Sequence, residues 1–440
     1  MKYPKYPAYK YSGVEWIGEI PDEWQLQSGR STFKQTRVKA YNTDLQLSAT
    51  QKYGVVPQTQ FMEFEDHKVM LALKGTDNFK HVDVGDFVIS LRSFQGGIEP
   101  CHHSGCVSPA YTVLKNRKKI NSDFFKYLFK SQLFIQIMQS ASEGIRDGKT
   151  ITYKEFGRII LPIPDLKEQE NISDFLNKKI SIVDTLILKQ QQLIELLKEK
   201  RQAIITHAVT KGRDPNVPMK DSGVEWVGEI PEKWNTVQSK WLMSCNDEVI
   251  PENSSSGLEL TYVEISDVDF TKGITNSELM KFEDAPSRAR RKVRDGDIII
   301  SNVRTYLKAI AEIKNPDNNL VVSTGFAVLR PRKVLQSFAK YALSASYFIE
   351  KVISESFGVS YPAITADRLV SIKLAVPDIK TQEEIADFLD KQTIKIDSLV
   401  KKQEEMIDLL KEYRSTLISA AVTGKIDVRN LKINDFPESE

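Results

Sequence analysis

Cysteine is scarce in this sequence, and long hydrophobic runs are missing. Only three cysteines, Cys101, Cys106 and Cys245, occur among 440 residues, which excludes a disulfide scaffold and indicates a reducing compartment. No run of about 18 apolar residues occurs, so no membrane-spanning helix is expected. The first residues, MKYPKYPAYKY, lack the apolar core that a signal peptide needs. We therefore expect a cytoplasmic protein that contacts no membrane.

Neither sign of charge is in large excess. The chain has 61 lysines and arginines against 59 aspartates and glutamates, a net charge of +2. This balance neither requires nor excludes a nucleic-acid partner, so any DNA-binding face must be a local patch. The apolar fraction of 41% and the charged fraction of 27% are typical of a folded protein and exclude a disordered chain.

Recognisable catalytic motifs are also absent from the sequence. A DNA methyltransferase would carry a glycine-rich cofactor loop and an Asn-Pro-Pro-aromatic motif, and neither occurs. The chain has only five histidines, and none belongs to a recognisable Ser/His/Asp arrangement. We therefore expect no catalytic residue and no cofactor bound by this chain.

Two short strings resemble binding motifs but fail on spacing. GIRDGKT (144–150) has three residues between its glycines where a phosphate-binding loop needs four. We interpret it as a polar loop whose Arg146, Lys149 and Thr150 are candidates for contact with a nucleic acid. CHHSGC (101–106) lacks the second ligand pair of a structural zinc site, so we interpret it as an exposed loop and expect no metal.

Much of the chain is an internal repeat. Residues 12–24 (SGVEWIGEIPDEW) and 222–234 (SGVEWVGEIPEKW) are identical at 10 of 13 positions, and residues 164–210 match 377–423 at 24 of 47. The segments between them match only loosely. A period near 210 residues is too long for a solenoid and indicates duplication of a two-part unit. Because the repeated tryptophans have identical neighbours, we interpret them as structural anchors rather than base-stacking platforms.

The longer repeated segment predicts a coiled-coil helix in each half. Heptad positions recur in alternating steps of four and three along 176–208 and again along 389–421. Asp165 fits a helix N-cap, and Gly212 and Gly424 fit helix stops.

Two polar residues interrupt each heptad seam at matching positions. Gln190 and Gln403 occupy d positions, and Arg201 and Arg414 occupy a positions. In an antiparallel pair, Gln190 is therefore predicted to face Arg414, and Gln403 to face Arg201. Such polar layers cost stability but fix register, which here would set the distance between the variable domains. The alternative is that the arginines snorkel to solvent and the glutamines lie at the edge of the seam.

The sequence thus predicts an α/β (α+β) multidomain fold with a pseudo-twofold internal repeat. Two mixed α/β domains are separated by two long coiled-coil helices. Each domain carries one helix pattern, at 121–141 and 336–356, and residues 320–329 read as one strand. The predicted segments are a first variable domain (1–161), a first helix (162–212), a second variable domain (213–375), a second helix (376–425) and a C-terminal tail (426–440).

Basic residues form local clusters inside the variable domains. The densest cluster, SRARRKVR (287–294), includes Arg288, Arg290, Arg291 and Arg294. We predict that these arginines contact DNA phosphates, and the alternative is a solvated surface.

Two further arginines follow the same strand pattern in the two halves. Arg92 comes after GDFVIS and Arg304 after GDIIIS. An arginine just beyond a strand can bond the edge of a guanine bidentately, so both are candidates for base reading. Tyr306, Ser360 and Tyr361 lie in similar loops and are further candidates. The alternative is that all five are ordinary loop residues.

The repeated motifs resemble one known family. The SGVEWIGEIP and SGVEWVGEIP elements, the helix starts PDLKEQENISDFL and PDIKTQEEIADFL, and the helix ends AVTKG and AVTGK are similar to those of the specificity (S) subunits of type I restriction-modification systems. The resemblance covers the whole two-copy plan. It implies two target-recognition domains, each reading one half of a split, asymmetric DNA target. It also implies that the two long coiled-coil helices pack antiparallel, act as a ruler and dock modification subunits.

The resemblance also implies that the chemistry belongs to partner subunits. S-adenosylmethionine is expected on the modification subunits, and ATP and magnesium on the restriction subunits. Recognition domains diverge within the family, so no base-contacting residue is carried over. Two alternatives stay open at this point: a self-contained nuclease with an unfamiliar site, and a scaffold or inhibitor of such a system that no longer reads DNA.

Overall fold

The protein is described by a computed structural model that covers residues 3–65, 78–91, 93–141 and 151–431. It consists of two units. The first unit comprises residues 1–190 and 405–440, and the second comprises residues 191–404. Each unit thus contains one variable domain and part of each long helix.

The first unit begins with short strands and ends in a long helix. Its strands are β1 (Tyr9–Tyr11), β2 (Glu19–Pro21), β3 (Gln25–Ser28), β4 (Phe33–Thr36), β5 (Leu47–Thr50), β6 (Gly54–Pro57), β7 (Lys80–Val82), β8 (Phe87–Ile89), β9 (Glu99–Pro100), β10 (Gly105–Val107), β11 (Thr112–Asn116) and β12 (Ile160–Ile163). Its helices are α1 (Gly29–Thr32), α2 (Gln58–Glu65), α3 (Ser93–Gly96), α4 (Ser122–Lys130), α5 (Gln132–Ala141), α6 (Tyr153–Phe156) and α7 (Leu166–Lys211), the last of which ends in the second unit.

The second unit follows the same order with additional strands. These are β13 (Met219–Asp221), β14 (Glu229–Pro231), β15 (Asn235–Gln238), β16 (Met243–Cys245), β17 (Glu259–Val263), β18 (Val268–Asp269), β19 (Gly273–Ile274), β20 (Glu278–Lys281), β21 (Ala289–Lys292), β22 (Ile298–Ser301), β23 (Ile310–Glu312), β24 (Leu320–Ser323), β25 (Phe326–Pro331) and β26 (Lys373–Val376). The helices are α8 (Gln336–Ser344), α9 (Ser346–Ser354), α10 (Ala366–Ser371) and α11 (Ile379–Val422), which ends in the first unit.

A four-stranded antiparallel sheet forms the base of each variable domain. The strand order is β4-β11-β8-β9 in the first unit and β16-β25-β22-β23 in the second. The loosely repeated strings GDFVIS and GDIIIS form β8 and β22, which occupy the same place in their sheets. Every residue of these two strands is buried, which explains their continuous apolar character. The helix pairs α4–α5 and α8–α9 share a core with these sheets.

Three local expectations need correction. The helix pattern at 121–141 is two helices, because Ser131 is extended and its hydroxyl oxygen accepts a hydrogen bond from the Phe134 amide. The pattern at 336–356 is likewise interrupted at the buried, extended Ala345. Residues 320–329 form β24 and β25, which belong to different sheets.

The CHHSGC string is an exposed loop only in its middle, where His102 and Ser104 are exposed. Cys101 and Cys106 are both buried, and Cys106 lies in β10. The two cysteines are not paired with each other, and Cys101 belongs to a small apolar core. Free cysteine behaves as a small hydrophobic residue, which explains this placement.

The two long helices are confirmed, and in each unit they run antiparallel. In the first unit Leu176 of α7 shares a core with Ala421 of α11, so the start of one helix packs on the end of the other. In the second unit Ala208 of α7 shares a core with Leu389 of α11. Within the described residues, every helix is too short or too polar to cross a lipid bilayer.

The helix ends follow the sequence signals. The Asp165 carboxylate accepts a hydrogen bond from the Glu168 amide at 2.8 Å, which confirms the N-cap of α7. Gly212 and Gly424 end the helices with φ values of 77° and 73°, a conformation that favours glycine.

The repeated tryptophans divide into buried and partly exposed positions. Trp24 and Trp234 are buried in the cores of the first and second units, next to Gly424 and Gly212 respectively. These two tryptophans therefore anchor the start of each variable domain against a helix end, as predicted. Trp226 is half exposed, and the Lys351 ammonium lies 4.2 Å from its ring centroid.

Candidate nucleic-acid interface

Two loops of the second unit bring several predicted residues onto one surface. The first loop, 302–308, follows β22, and the second, 355–365, connects α9 to α10. With Arg368 in α10, the two loops expose cations, aromatic rings, a valine and a serine. We call these eight residues the aromatic–cation surface: Arg304, Tyr306, Lys308, Phe357, Val359, Ser360, Tyr361 and Arg368. Four of these eight residues, Arg304, Tyr306, Ser360 and Tyr361, are the ones that the sequence singles out.

Backbone hydrogen bonds hold the two loops together. Isolated bridges join Ala363 both to Val303 and to Phe357. The Ile364 amide donates to the Asn302 carbonyl at 2.8 Å. The loops therefore form one supported platform rather than two independent segments.

Two residues of the first loop adopt the left-handed conformation. Arg304 has φ 51° and ψ 47°, and Lys308 has φ 51° and ψ 35°, on either side of a single 3-10 turn. Non-glycine residues in this region are uncommon and cost of order 1–3 kcal/mol when the surroundings impose it. The Thr305 hydroxyl of this turn donates to Ser356 Oγ at 2.8 Å, which helps to impose the turn. Such strain commonly marks a functional loop.

Each of two guanidinium groups lies over an exposed ring. The Arg304 guanidinium is 4.9 Å from the Tyr361 ring centroid, and that of Arg368 is 4.6 Å from the Phe357 centroid. Both rings are 65% exposed. Within the described part of the chain the Arg304 guanidinium makes no hydrogen bond or ion pair, so its N–H groups are available to a ligand. Stacking restrains the guanidinium plane, which favours bidentate recognition of a planar partner.

Sequence reasoning missed four members of this surface: Lys308, Phe357, Val359 and Arg368. Val359 is fully exposed and follows Gly358, whose φ of 112° is open only to glycine. For Phe357 and Val359 the sequence did offer a signal, the string FGVSY (357–361), in which apolar and aromatic residues surround a glycine. A contiguous exposed apolar patch on a folded protein usually marks a binding site.

The basic run 287–294 is largely engaged inside its own unit. Arg288 bonds the Tyr262 hydroxyl at 3.1 Å and the Glu264 carboxylate at 2.5 Å. The hydrogen bond from Arg288 holds the pKa of Glu264 below its usual range. Arg294 pairs with the Glu248 carboxylate at 2.5 Å.

The other two arginines of the run are more enclosed. The Arg290 guanidinium lies 4.5 Å from the centroid of the Phe282 ring. The Nε atom of Arg291 is buried and has no hydrogen-bond partner among the described residues. Phosphate contact by these four arginines therefore stays a prediction, and for Arg288 and Arg294 it would require an existing ion pair to be shared or broken.

Four candidate residues lie outside the described residues: Arg92, Arg146, Lys149 and Thr150. Arg92 lies two positions after GDFVIS and Arg304 lies three positions after GDIIIS, so the two arginines are not at the same repeat position, and the candidacy of Arg92 rests on the sequence alone.

The coiled-coil arginines have partners other than the predicted glutamines. In the second unit Arg201 Nε donates to Asp397 Oδ1 at 2.9 Å, and in the first unit Arg414 Nε donates to Asp184 Oδ1 at 2.9 Å. Gln190 Oε1 is buried and has no hydrogen-bond partner within the described part of the chain. Gln403 is partly buried. The arginines therefore bond aspartates and not the glutamines, because a carboxylate accepts from a guanidinium more strongly than an amide does. That the glutamine and arginine layers face each other stays a prediction.

No group of three or more histidine, cysteine, aspartate or glutamate side chains is arranged to hold a metal ion among residues 3–65, 78–91, 93–141 and 151–431. The aromatic–cation surface offers hydrogen-bond donors, positive charge and ring faces. That combination suits recognition of nucleic-acid bases and phosphates.

Comparisons with known proteins agree with this chemistry. The family model described as "Type I restriction modification DNA specificity domain" matches residues 261–409. Over 426 residues the chain is 25% identical to the type I restriction enzyme MjaVIII specificity subunit of Methanocaldococcus jannaschii, covering 94% of this chain and 95% of that protein. A second relative, the HindI specificity subunit of Haemophilus influenzae, is 34% identical over 116 residues, which are 26% of this chain and 25% of that protein.

Solved structures share the fold. The HsdS subunit from Thermoanaerobacter tengcongensis superposes with a TM-score of 0.51 at 17% identity, over 92% of this chain and 98% of that one. A chain from a study of the assembly and conformational transition of a type I restriction-modification system gives a TM-score of 0.64 at 17% identity, with the same coverage. With its two-copy plan, its paired long helices and these relatives along nearly its whole length, the chain is similar throughout to the specificity subunits of type I restriction-modification systems.

Proposed function

We propose that this chain is the DNA-reading subunit of a type I restriction-modification complex. Each variable domain reads one half of a bipartite, asymmetric DNA target, and the long helices set the spacing between the halves. The similarity to type I specificity subunits supports this role. The chain itself carries no catalysis in this proposal, and neither the nuclease alternative nor the non-reading scaffold gains support from the relatives.

The aromatic–cation surface is the observation that carries the reading role in the second unit. The N–H groups of Arg304 fit the O6 and N7 acceptors of a guanine in the major groove. Stacking on Tyr361 reduces the conformational freedom that the arginine loses on binding. Lys308 and Arg368 supply positive charge beside it for phosphate contact. Val359 offers an apolar contact of the kind that suits a thymine methyl group.

The outer faces of the long helices supply a partner surface in each unit. Leu196 of the second unit and Leu409 of the first are both 61% exposed and lie 213 residues apart, at matching repeat positions. Leu193 and Met406 form a second matching exposed pair. Exposed apolar side chains on a helix indicate a protein partner. Since the pattern recurs, we propose that each unit docks one modification subunit.

Cofactors and chemistry belong to the partners in this proposal. S-adenosylmethionine is bound by the modification subunits, and ATP and magnesium by the restriction subunits. We further propose a cytoplasmic location, where the three free cysteines Cys101, Cys106 and Cys245 stay reduced.

A domain transplant tests the two-reader role. Residues 1–161 are replaced by the first variable domain of another family member, and the methylated DNA sequence is mapped after coexpression with the modification subunit. We expect one half of the target to change and the other half to stay. A change in both halves, or in neither, would contradict separate reading by the two domains.

A further inference from the structure

The start of the variable domain is built the same way in both units. β1 pairs with β2 in the same register as β13 with β14, so residues 8–22 correspond to residues 218–232. Counting two residues back from this match, Tyr6 corresponds to Asn216. The two units differ sharply at this position.

In the first unit Tyr6 fills a closed site. It is only 5% exposed, and its hydroxyl donates to Glu168 Oε1 at 2.6 Å. Its ring meets Trp24 edge-on, with centroids 6.1 Å apart, and the Arg429 guanidinium lies 4.7 Å from the ring centroid. The tyrosine thus has an apolar wall, a cation on its face and an acceptor at its tip.

In the second unit the same place is open. Asn216 is exposed, and its backbone N–H donates to Asp214 Oδ1 at 2.9 Å. A cavity of about 340 Å³ remains, and its walls include Trp234 and Thr381. By the repeat offsets of 210 and 213 these residues are the counterparts of Trp24 and Glu168, the residues that contact Tyr6.

Tyr3, the other aromatic residue of this segment that packs on α7, has a replacement in the second unit. In the first unit the Tyr3 ring packs on Phe175 at a centroid distance of 5.7 Å. In the second unit the Arg213 guanidinium covers the counterpart ring of Phe388 at 5.1 Å. The cavity is therefore specific to the position of Tyr6.

We propose that the Trp234 cavity binds a tyrosine side chain of a partner protein, presented by an extended, proline-flanked segment as residues 3–9 present Tyr6. Its volume is at the low end of the roughly 300–1,000 Å³ of small-ligand sites. Trp234 and Ile385 supply apolar walls, and Asp378 and Thr381 supply acceptors for a phenol hydroxyl.

The test uses the full chain labelled with 5-fluorotryptophan and fluorine NMR. The chain has five tryptophans, and the Trp234→Phe variant assigns the resonance of interest. The probe is the synthetic peptide YPKYPAY, residues 3–9, and the control peptide carries alanine in place of its central tyrosine. We expect the peptide to shift the Trp234 resonance saturably, and the control peptide to bind at least tenfold more weakly.

A variant that fills the cavity with a tyrosine of its own chain provides a second test. In Asn216→Tyr the chain supplies its own aromatic ring, so we expect a higher thermal midpoint and no response to the peptide. The matched control, Asn216→Ser, leaves the cavity open and responds like the native chain. An equal response to both peptides, an undiminished response in Asn216→Tyr, or a lower midpoint for that variant would overturn the proposal. DNA binding is measured in parallel and stays unchanged in Asn216→Tyr, which separates this site from the DNA-reading role.

Discussion

Arg201 of one long helix donates through Nε to Oδ1 of Asp397 on the other at 2.9 Å, and the same pair recurs in the first unit between Arg414 and Asp184. The two arginines lie 213 residues apart in sequence, and so do the two aspartates. Each unit therefore holds its two helices with one copy of the same ion pair. These pairs, rather than Gln–Arg layers, are the polar contacts of the arginines across the helices.

The two copies of the pair differ in exposure, which predicts different energies. The Arg201 side chain is 16% exposed and that of Arg414 is 41% exposed. Asp397→Ala leaves a largely buried guanidinium without its acceptor and should destabilise the second unit by about 1–3 kcal/mol. Asp184→Ala should cost under about 1 kcal/mol, because the exposed pair is screened by water. Chemical denaturation of the two variants checks the order.

The charge-swapped variant controls for lost side-chain volume. Arg201→Asp alone places two carboxylates side by side, whereas Arg201→Asp combined with Asp397→Arg restores an ion pair. We expect the double variant to recover most of the lost stability. If the double variant is as unstable as the sum of the single ones, the pair does not hold the helices.

The heptad pattern predicted the helices but not these partners, for a physical reason. Asp184 and Asp397 each lie one position after a residue of the apolar seam. The heptad pattern is read from the a and d positions alone, so it predicts no contact for these aspartates. An arginine side chain is long enough to reach such a flanking carboxylate from within the seam. The identity of both aspartates in the two copies was the only sequence signal.

Arg304 should be a determinant of DNA sequence preference. Arg304→Ala should weaken binding to the cognate target by about 1–3 kcal/mol if the guanidinium reads a guanine. Arg304→Lys should not restore it, because an ammonium cannot form the bidentate pair. Fluorescence anisotropy with cognate and base-substituted duplexes measures the loss of affinity for each of the two variants. An equal loss on every duplex, with a smaller salt dependence, would instead make Arg304 a phosphate contact.

Tyr361 should affect DNA affinity by holding the Arg304 guanidinium in place. Tyr361→Phe keeps the ring face and should keep most of the affinity, whereas Tyr361→Ala should approach the loss seen for Arg304→Ala. The double variant Arg304→Ala with Tyr361→Ala should then lose little more than either single variant. Full additivity of the two losses in the same anisotropy assay would show that the residues act independently.

The sequence singled out Arg304 and Tyr361 separately but not as a pair. They lie 57 positions apart, and their contact depends on the left-handed turn at Arg304 and on the bridges through Ala363. Backbone conformations of this kind are imposed by the surrounding fold and leave no mark in local composition. Phe357 and Arg368 were missed for the same reason.

His81 should make the stability of the first unit depend on pH. Burial disfavours the charged imidazole, but hydrogen bonds to Asp44 at 2.9 Å and Asp83 at 3.2 Å outweigh it and raise the pKa of His81 above 6.5. The stabilisation is fully present below pH 6.5 and is lost as pH rises through the raised pKa of the folded state. Thermal midpoints at pH 6 and pH 8 should therefore differ more in the native chain than in His81→Gln. An equal pH dependence in the variant would exclude His81 as the source.

Methylation of DNA by the purified subunits distinguishes a DNA-reading subunit from an enzyme that acts alone and from a scaffold that does not read DNA. The chain, its modification subunit and S-adenosylmethionine are incubated with random-sequence DNA, separately and together, and the methylated positions are sequenced. We expect methylation only with both proteins present, at one split, asymmetric sequence, and a change in one half of that sequence for Arg304→Ala. Methylation or cleavage by the chain alone, or the same methylated sites with the modification subunit alone, would contradict this expectation.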